Sequence, residues 1–187
     1  MGIDIHGWVE VRRHYKGAIP PHDVQWHGVI AIYQIMQRNY DMFSCLFGIQ
    51  PYAQFNPVAA GRGLPCDISE EASDDYLTWE EACGETWISW PEIQVIDWDE
   101  EALDRRPHEY SLDDSGQLLY TGKSAPLASD IVVEGNTWQI GENVFKAERI
   151  ARRKALSHDW RLLFRLMETL AAEYGNDAVR LAVWFDR

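Results

Sequence analysis

Asp4 and His6 stand two residues apart in Gly2-Ile3-Asp4-Ile5-His6-Gly7-Trp8-Val9-Glu10-Val11. Side chains on a strand alternate between faces, so Ile3, Ile5, Val9 and Val11 share one face and Asp4, His6, Trp8 and Glu10 the other. A carboxylate and an imidazole adjacent on one strand face can share a proton, a polar ligand or a divalent metal ion. A strand with one wet face is the plainer reading of the same pattern. Arg62, in a loop between Gly61 and Gly63, is a third residue with chemistry: its guanidinium can grip a phosphate or carboxylate through two parallel hydrogen bonds, or serve a structural ion pair.

Asp-x-His also begins the first strand of calcineurin-like metallophosphoesterases, where the pair ligates the first of two metals. That class needs Gly-Asp-x-x-Asp, Gly-Asn-His and Gly-His-x-His as well, and none is found; Thr137 follows Gly135-Asn136 where His is required. The family is rejected, and a single-metal site on Asp4 and His6 stays open. His22 and His27 lack the paired cysteines or helical setting of a zinc site. Cys45 lies in the apolar run 43–47 and reads as packing rather than a nucleophile.

Charge is distributed unevenly. Residues 67–114 hold 17 Asp and Glu against only Arg105 and Arg106, within a chain of net charge −13. Such a field repels nucleic acid and attracts basic partners. Tyr76, Trp79, Trp87, Trp90 and Trp98 lie in the same stretch and supply aromatic anchors of the kind that dominate interfaces. Lys146, Arg149, Arg152, Arg153 and Lys154 form a short basic stretch that reads as an intramolecular or surface face. No apolar run reaches the roughly 20 residues of a membrane span. The beginning lacks a basic-then-apolar leader, and three cysteines without a short-spaced pair suit a reducing compartment, so the expected location is cytoplasmic.

Which elements position these groups follows from periodicity. One domain over 1–187 is expected, with nine Trp among its core formers. Val29 to Met36 is β-branched and aromatic and reads as a strand. Asn39 or Asp41 caps a short helix over Met42 to Phe47, stopped by Gly48. Prolines and glycines leave 49–67 irregular. The acidic Ser69 to Cys83 is helical in part, and Ser89-Trp90-Pro91-Glu92 has the form of a capping box. Hairpins are expected between 109–112 and 117–121, and between 131–133 and 137–140. Ser157 caps a helix whose apolar positions Trp160, Leu163, Phe164, Met167, Leu170, Ala171 and Tyr174 share one face, ended by Gly175. A last strand spans Ala178 to Asp186. The fold class is α+β: a mostly antiparallel sheet with N- and C-terminal strands and the long helix packed on it.

Four segments in order resemble a family of uncharacterised bacteriophage and prophage proteins. They are Met1-Gly2-Ile3-Asp4-Ile5-His6 with Glu10, Arg38-Asn39-Tyr40-Asp41-Met42-Phe43, Arg62-Gly63-Leu64-Pro65-Cys66-Asp67, and the closing Trp184-Phe185-Asp186. The resemblance implies a phage context and singles out Asp4, His6, Arg38, Tyr40, Arg62, Asp67 and Asp186. This chain departs from the family at Cys83-Gly84-Glu85-Thr86-Trp87, where members carry a His-rich stretch; Cys83 and Glu85 replace those histidines.

Two functions follow as expectations. The first is an acidic, non-enzymatic binding protein of anti-defence, anti-CRISPR-like type. It would engage a host protein or ribonucleoprotein with a basic surface through Asp97, Asp99, Glu100, Glu101, Trp87, Trp90 and Trp98, with no cofactor, no direct nucleic acid and no membrane. The alternative is a small divalent-metal-dependent hydrolase or nucleotide-binding protein using Asp4 and His6, with Arg62 nearby.

Overall fold

The computed structural model describes residues 2–13, 25–127 and 132–186. In chain order the elements begin with β1 (Asp4–Arg12), β2 (Trp26–Ala31), α1 (Tyr40–Phe47), α2 (Glu70–Tyr76), β3 (Cys83–Ser89) and α3 (Trp90–Gln94). They continue through β4 (Glu101–Leu103), β5 (His108–Leu112), β6 (Leu118–Lys123), β7 (Thr137–Ile140), β8 (Asn143–Lys146) and β9 (Arg149–Ala151). The chain closes with α4 (Arg152–Ala155), α5 (His158–Tyr174) and β10 (Val179–Asp186). The class is α+β, with antiparallel pairing in every sheet. No helix among the described residues is long and apolar enough to cross a membrane.

The chain divides into two compact units, each assembled from separated segments. Unit 1 comprises 1–39, 57–96 and 156–187; unit 2 comprises 40–56 and 97–155. The acidic stretch 67–114 is therefore split between them.

Unit 1 is a four-stranded sheet in the order β2-β1-β10-β3. Directly opposed residues share a face, and the register sets Ile5 against Phe185, Val9 against Leu181 and Val11 against Val179. All six are buried. The apolar stripe of α5, with Trp160, Leu163, Phe164, Met167 and Ala171 buried, covers this aliphatic face. Each large side chain so removed from water contributes about 1.5–3 kcal/mol. Gly7 occupies the one aliphatic-face position without a side chain: its φ is +143°, and a Cβ there would lie 2.1 Å from the Ala182 carbonyl oxygen. Gly175 ends α5 as expected, but Ser157 does not cap it through its side chain; its hydroxyl is bonded to Asp159 and Asn39 instead.

Unit 2 holds a two-stranded sheet, β4-β9, and a four-stranded sheet in the order β6-β5-β8-β7. Its apolar centre includes Met42, Phe43, Cys45, Leu46 and Phe47 of α1 with Ala53, Phe55 and Ile150. Burial raises the Cys45 thiol above its ordinary value even though Arg152 adjoins it, in keeping with a packing role.

Several expectations need correction. The strand expected at 29–36 begins at Trp26 and stops at Ala31, because the chain turns at Ile32, whose carbonyl accepts from Ile35 and Met36. The second hairpin joins β7 to β8 around Gly141, not 131–133 to 137–140. Gly141 at φ +61° makes that turn, while the Glu134-Gly135 turn precedes the hairpin. Ile131 lies outside the described residues, as do His22 and most of the loop expected at 12–23. The capping box at Ser89 and Glu92 is present with both of its bonds.

Candidate functional site

The polar face of β1 is engaged by other side chains along its length, half-exposed at Asp4 and buried at His6 and Glu10. Arg38 donates Nε and a terminal nitrogen to the two Asp4 oxygens at 2.6 and 2.7 Å, which holds the Asp4 carboxyl below its ordinary range. His6 is buried with its ring 3.7 Å, centroid to centroid, from that of Trp79. Its Nε2 lies 3.3 Å from Asp186 Oδ1 without hydrogen-bond alignment. Trp8 donates its indole N–H to Asp75 at 2.8 Å. Glu10, fully buried, accepts from the Ser69 amide and from Arg180 Nε, both at 2.6 Å. Asp4, Trp8 and Glu10 thus each meet an opposite charge or a hydrogen-bond partner, whereas neither ring nitrogen of the buried His6 makes a hydrogen bond among the described residues.

This engagement bears directly on the metal reading. Both Asp4 oxygens are committed to one guanidinium rather than turned with His6 toward a shared ion. Among the described residues no group of three or more His, Cys, Asp or Glu is gathered to hold a metal. Helix α2 and its cap line this face, and Gly28 of β2 allows the close approach: a Cβ there would sit 2.9 Å from both Glu71 Cβ and Trp8 Cε3.

Arg62 is likewise structural in its contacts. It pairs with Glu92, donates to the Val58 and Trp87 carbonyls and lies over the Trp87 ring. Burial raises the Glu92 carboxyl, but Arg62 and the Ser89 cap outweigh it and lower the pKa to about 2. Trp90 is buried at the start of α3, and Glu85 accepts from the Tyr76 hydroxyl. Cys83 is half-buried.

The acidic stretch separates into two kinds. The antiparallel pairing of β4 with β9 carries the run Asp97-Trp98-Asp99-Glu100-Glu101 past Arg149 to Arg153. Asp99 pairs with Arg153 at 2.7 Å, Glu100 with the buried Arg152 at 2.8 Å and Glu101 with Arg149 at 3.8 Å. Asp97 accepts the Asp99 amide, and the Trp98 carbonyl accepts from Arg153. In 67–96, by contrast, there are nine acids and no Lys or Arg. Among the described residues only Asp67 and Glu92 of these nine have a cationic partner. Glu70, Glu71, Asp74, Glu80 and Glu81 are exposed. Beside them runs a groove of about 440 Å³ lined by Trp26, Asp67, Ile68, Glu70, Ser73 and Asp74.

A polar cleft in unit 2, about 620 Å³, was not foreseen from the sequence. Asp41 and Lys123 of its lining join Arg106 and Asp104 in a closed ring of ion pairs. Asp104 is wholly buried; burial raises its carboxyl, but His108, Arg106 and Lys123 reverse that and hold it far below the ordinary range. His108 Nδ1 is 2.9 Å from Glu148 Oε2, which also accepts the Tyr110 hydroxyl at 2.6 Å. Burial and that carboxylate push Tyr110 up to about 12. His108 Nε2 makes no hydrogen bond among the described residues.

Family models, curated proteins and solved structures were all compared with this chain, and none matches. The functional reading therefore rests on its own residues.

Proposed function

We propose that the protein is an acidic binding protein whose partner presents a basic surface; in the phage context of the resemblance, that partner is a host nucleic-acid-handling complex. The observation that carries this reading is the uncompensated charge of 67–96. Acids that fold the protein are expected to meet cations, as Asp99, Glu100 and Glu101 do; the exposed acids on and after α2 meet none among the described residues. A surface of one sign steers an oppositely charged partner and sets the salt dependence of encounter. The binding face is thus drawn at Glu70, Glu71, Asp74, Glu80 and Glu81 with the Trp26 groove, and not at 97–101, Trp90 or Trp98. The Asp4 and His6 alternative gains no comparable support, since that strand face is filled by Arg38, Trp79 and Asp186.

The test is capture from host lysate with wild type and two charge variants. One carries Glu70→Gln, Asp74→Asn, Glu80→Gln and Glu81→Gln; the other carries Asp99→Asn, Glu100→Gln and Glu101→Gln. The expected result is a basic partner retained by wild type and by the second variant, lost by the first, and released by high salt. Retention indifferent to salt and to the first variant overturns the proposal.

A further inference from the structure

The unit 2 cleft holds polar groups that the fold does not use up. Both His108 and Tyr110 converge on Oε2 of Glu148, so Oε1 has no partner among the described residues. Lys154, on the lining, makes no ion pair among the described residues, and Arg153 pairs only with Asp99, each side chain mostly in water. Exposed pairs of that kind are worth little and are readily exchanged for a better anion. Asp41 and Glu101, also on the lining, are already opposed by cations.

The aromatic side of the cleft is equally available. Tyr110 and Tyr120 pack edge to face at 5.6 Å, and Tyr120 is 56% exposed. Tyr110 is fixed by Glu148 and by Lys146, whose Nζ lies 4.8 Å from the ring centroid. Tyr120, packed edge to face against the fixed Tyr110, presents an exposed ring on which a nucleobase can stack. A carboxylate with one open oxygen accepts sugar hydroxyls, and Arg and Lys take phosphate oxygens by charge-assisted bonds. The volume lies within the range of about 300–1,000 Å³ typical of small-ligand clefts.

From these three groups we infer that the unit 2 cleft binds a ribonucleoside phosphate, with the base on Tyr120, the ribose on Glu148 and the phosphate on Arg153 and Lys154. The site is independent of the acidic face of unit 1, and either can fail alone. The test is calorimetric titration of the full chain with the four common ribonucleoside monophosphates, with adenosine and with inorganic phosphate. At least one monophosphate should bind more tightly than adenosine or phosphate alone. Tyr120→Ala and the pair Arg153→Ala with Lys154→Ala should each weaken it by about tenfold, the worth of one stacked base or one good charged contact. Circular dichroism of these surface variants establishes that they fold. The inference is overturned if no monophosphate binds at millimolar concentration, if inorganic phosphate binds as tightly as the nucleotides, or if the folded variants bind like wild type.

Discussion

Two parts of the acidic stretch, 67–96 and 97–104, are both rich in Asp and Glu without a Lys or Arg of their own, and their acids have opposite fates. Residues 97–104 put Asp99, Glu100, Glu101 and Asp104 against arginine or lysine, and one of those arginines, Arg152, is buried where it also bonds the Cys45 and Asn56 carbonyls. Residues 67–96 leave seven of nine acids without a cation among the described residues. Glu71 and Asp75 of α2 accept from the Gly28 amide and the Trp8 indole; even so, negative charge at 99–104 is part of what holds the fold, whereas at Glu70, Asp74, Glu80 and Glu81 it is surface. Neutralising the first kind should damage stability, and neutralising the second should damage only what the surface binds.

The largest effect expected from that contrast is at Asp104. Asp104→Asn leaves Arg106 and Lys123 without their shared buried carboxylate and should cost about 3–5 kcal/mol, read from urea unfolding. A loss below 1 kcal/mol would remove the claim that unit 2 uses its acids structurally. Next is the approach of α2 to the sheet. Gly28→Ala pushes a methyl group against Glu71 and Trp8 and should destabilise by about 1–3 kcal/mol, with a change in tryptophan emission.

Smaller is the pH effect at Glu92, the acid of 67–96 most tightly held. Its folded pKa is depressed from 4.5 to about 2, so the stabilisation is fully present above pH 4.5 and is lost as pH falls toward 2. The stability difference between wild type and Glu92→Gln should shrink over that window; a difference constant with pH would assign the effect to the side-chain change alone. The smallest effect belongs to the α2 face: Glu70→Gln with Asp74→Asn, Glu80→Gln and Glu81→Gln should move unfolding free energy by no more than about 0.5 kcal/mol per site, because none of the four carries a partner among the described residues.

Local patterns were legible where one segment carried its own signal. The alternation of Ile5, Val9 and Val11, the stripe from Trp160 to Ala171, the Ser89 to Glu92 box and the 113–116 turn each specify an element without help from distant residues. What was hidden depended on pairing between segments. The strand Cys83–Ser89 is covered by β10 on only one edge and lacks clean alternation, and β7 chose β8 across Gly141. Two units interleave along the chain, and no local pattern marks where one resumes. The Asp4 and His6 spacing was read correctly as one face, but the sequence could not reveal that Arg38 would occupy it. The unit 2 cleft draws Asp41, His108, Tyr120, Glu148 and Arg153 from separate segments, so no motif spacing announces it. One signal of this pairing is present in the sequence: the run Asp97 to Glu101 and the run Arg149 to Lys154 are complementary in charge, and the fold sets them antiparallel.

The most direct test of the central claim is the paired capture experiment with the α2 variant and the 99–101 variant, both verified as folded. The account predicts that the same basic protein is retained by wild type and by Asp99→Asn/Glu100→Gln/Glu101→Gln, and is absent with the four-site α2 variant. Retention by the α2 variant together with loss by the 99–101 variant would contradict it, and would return the binding face to unit 2.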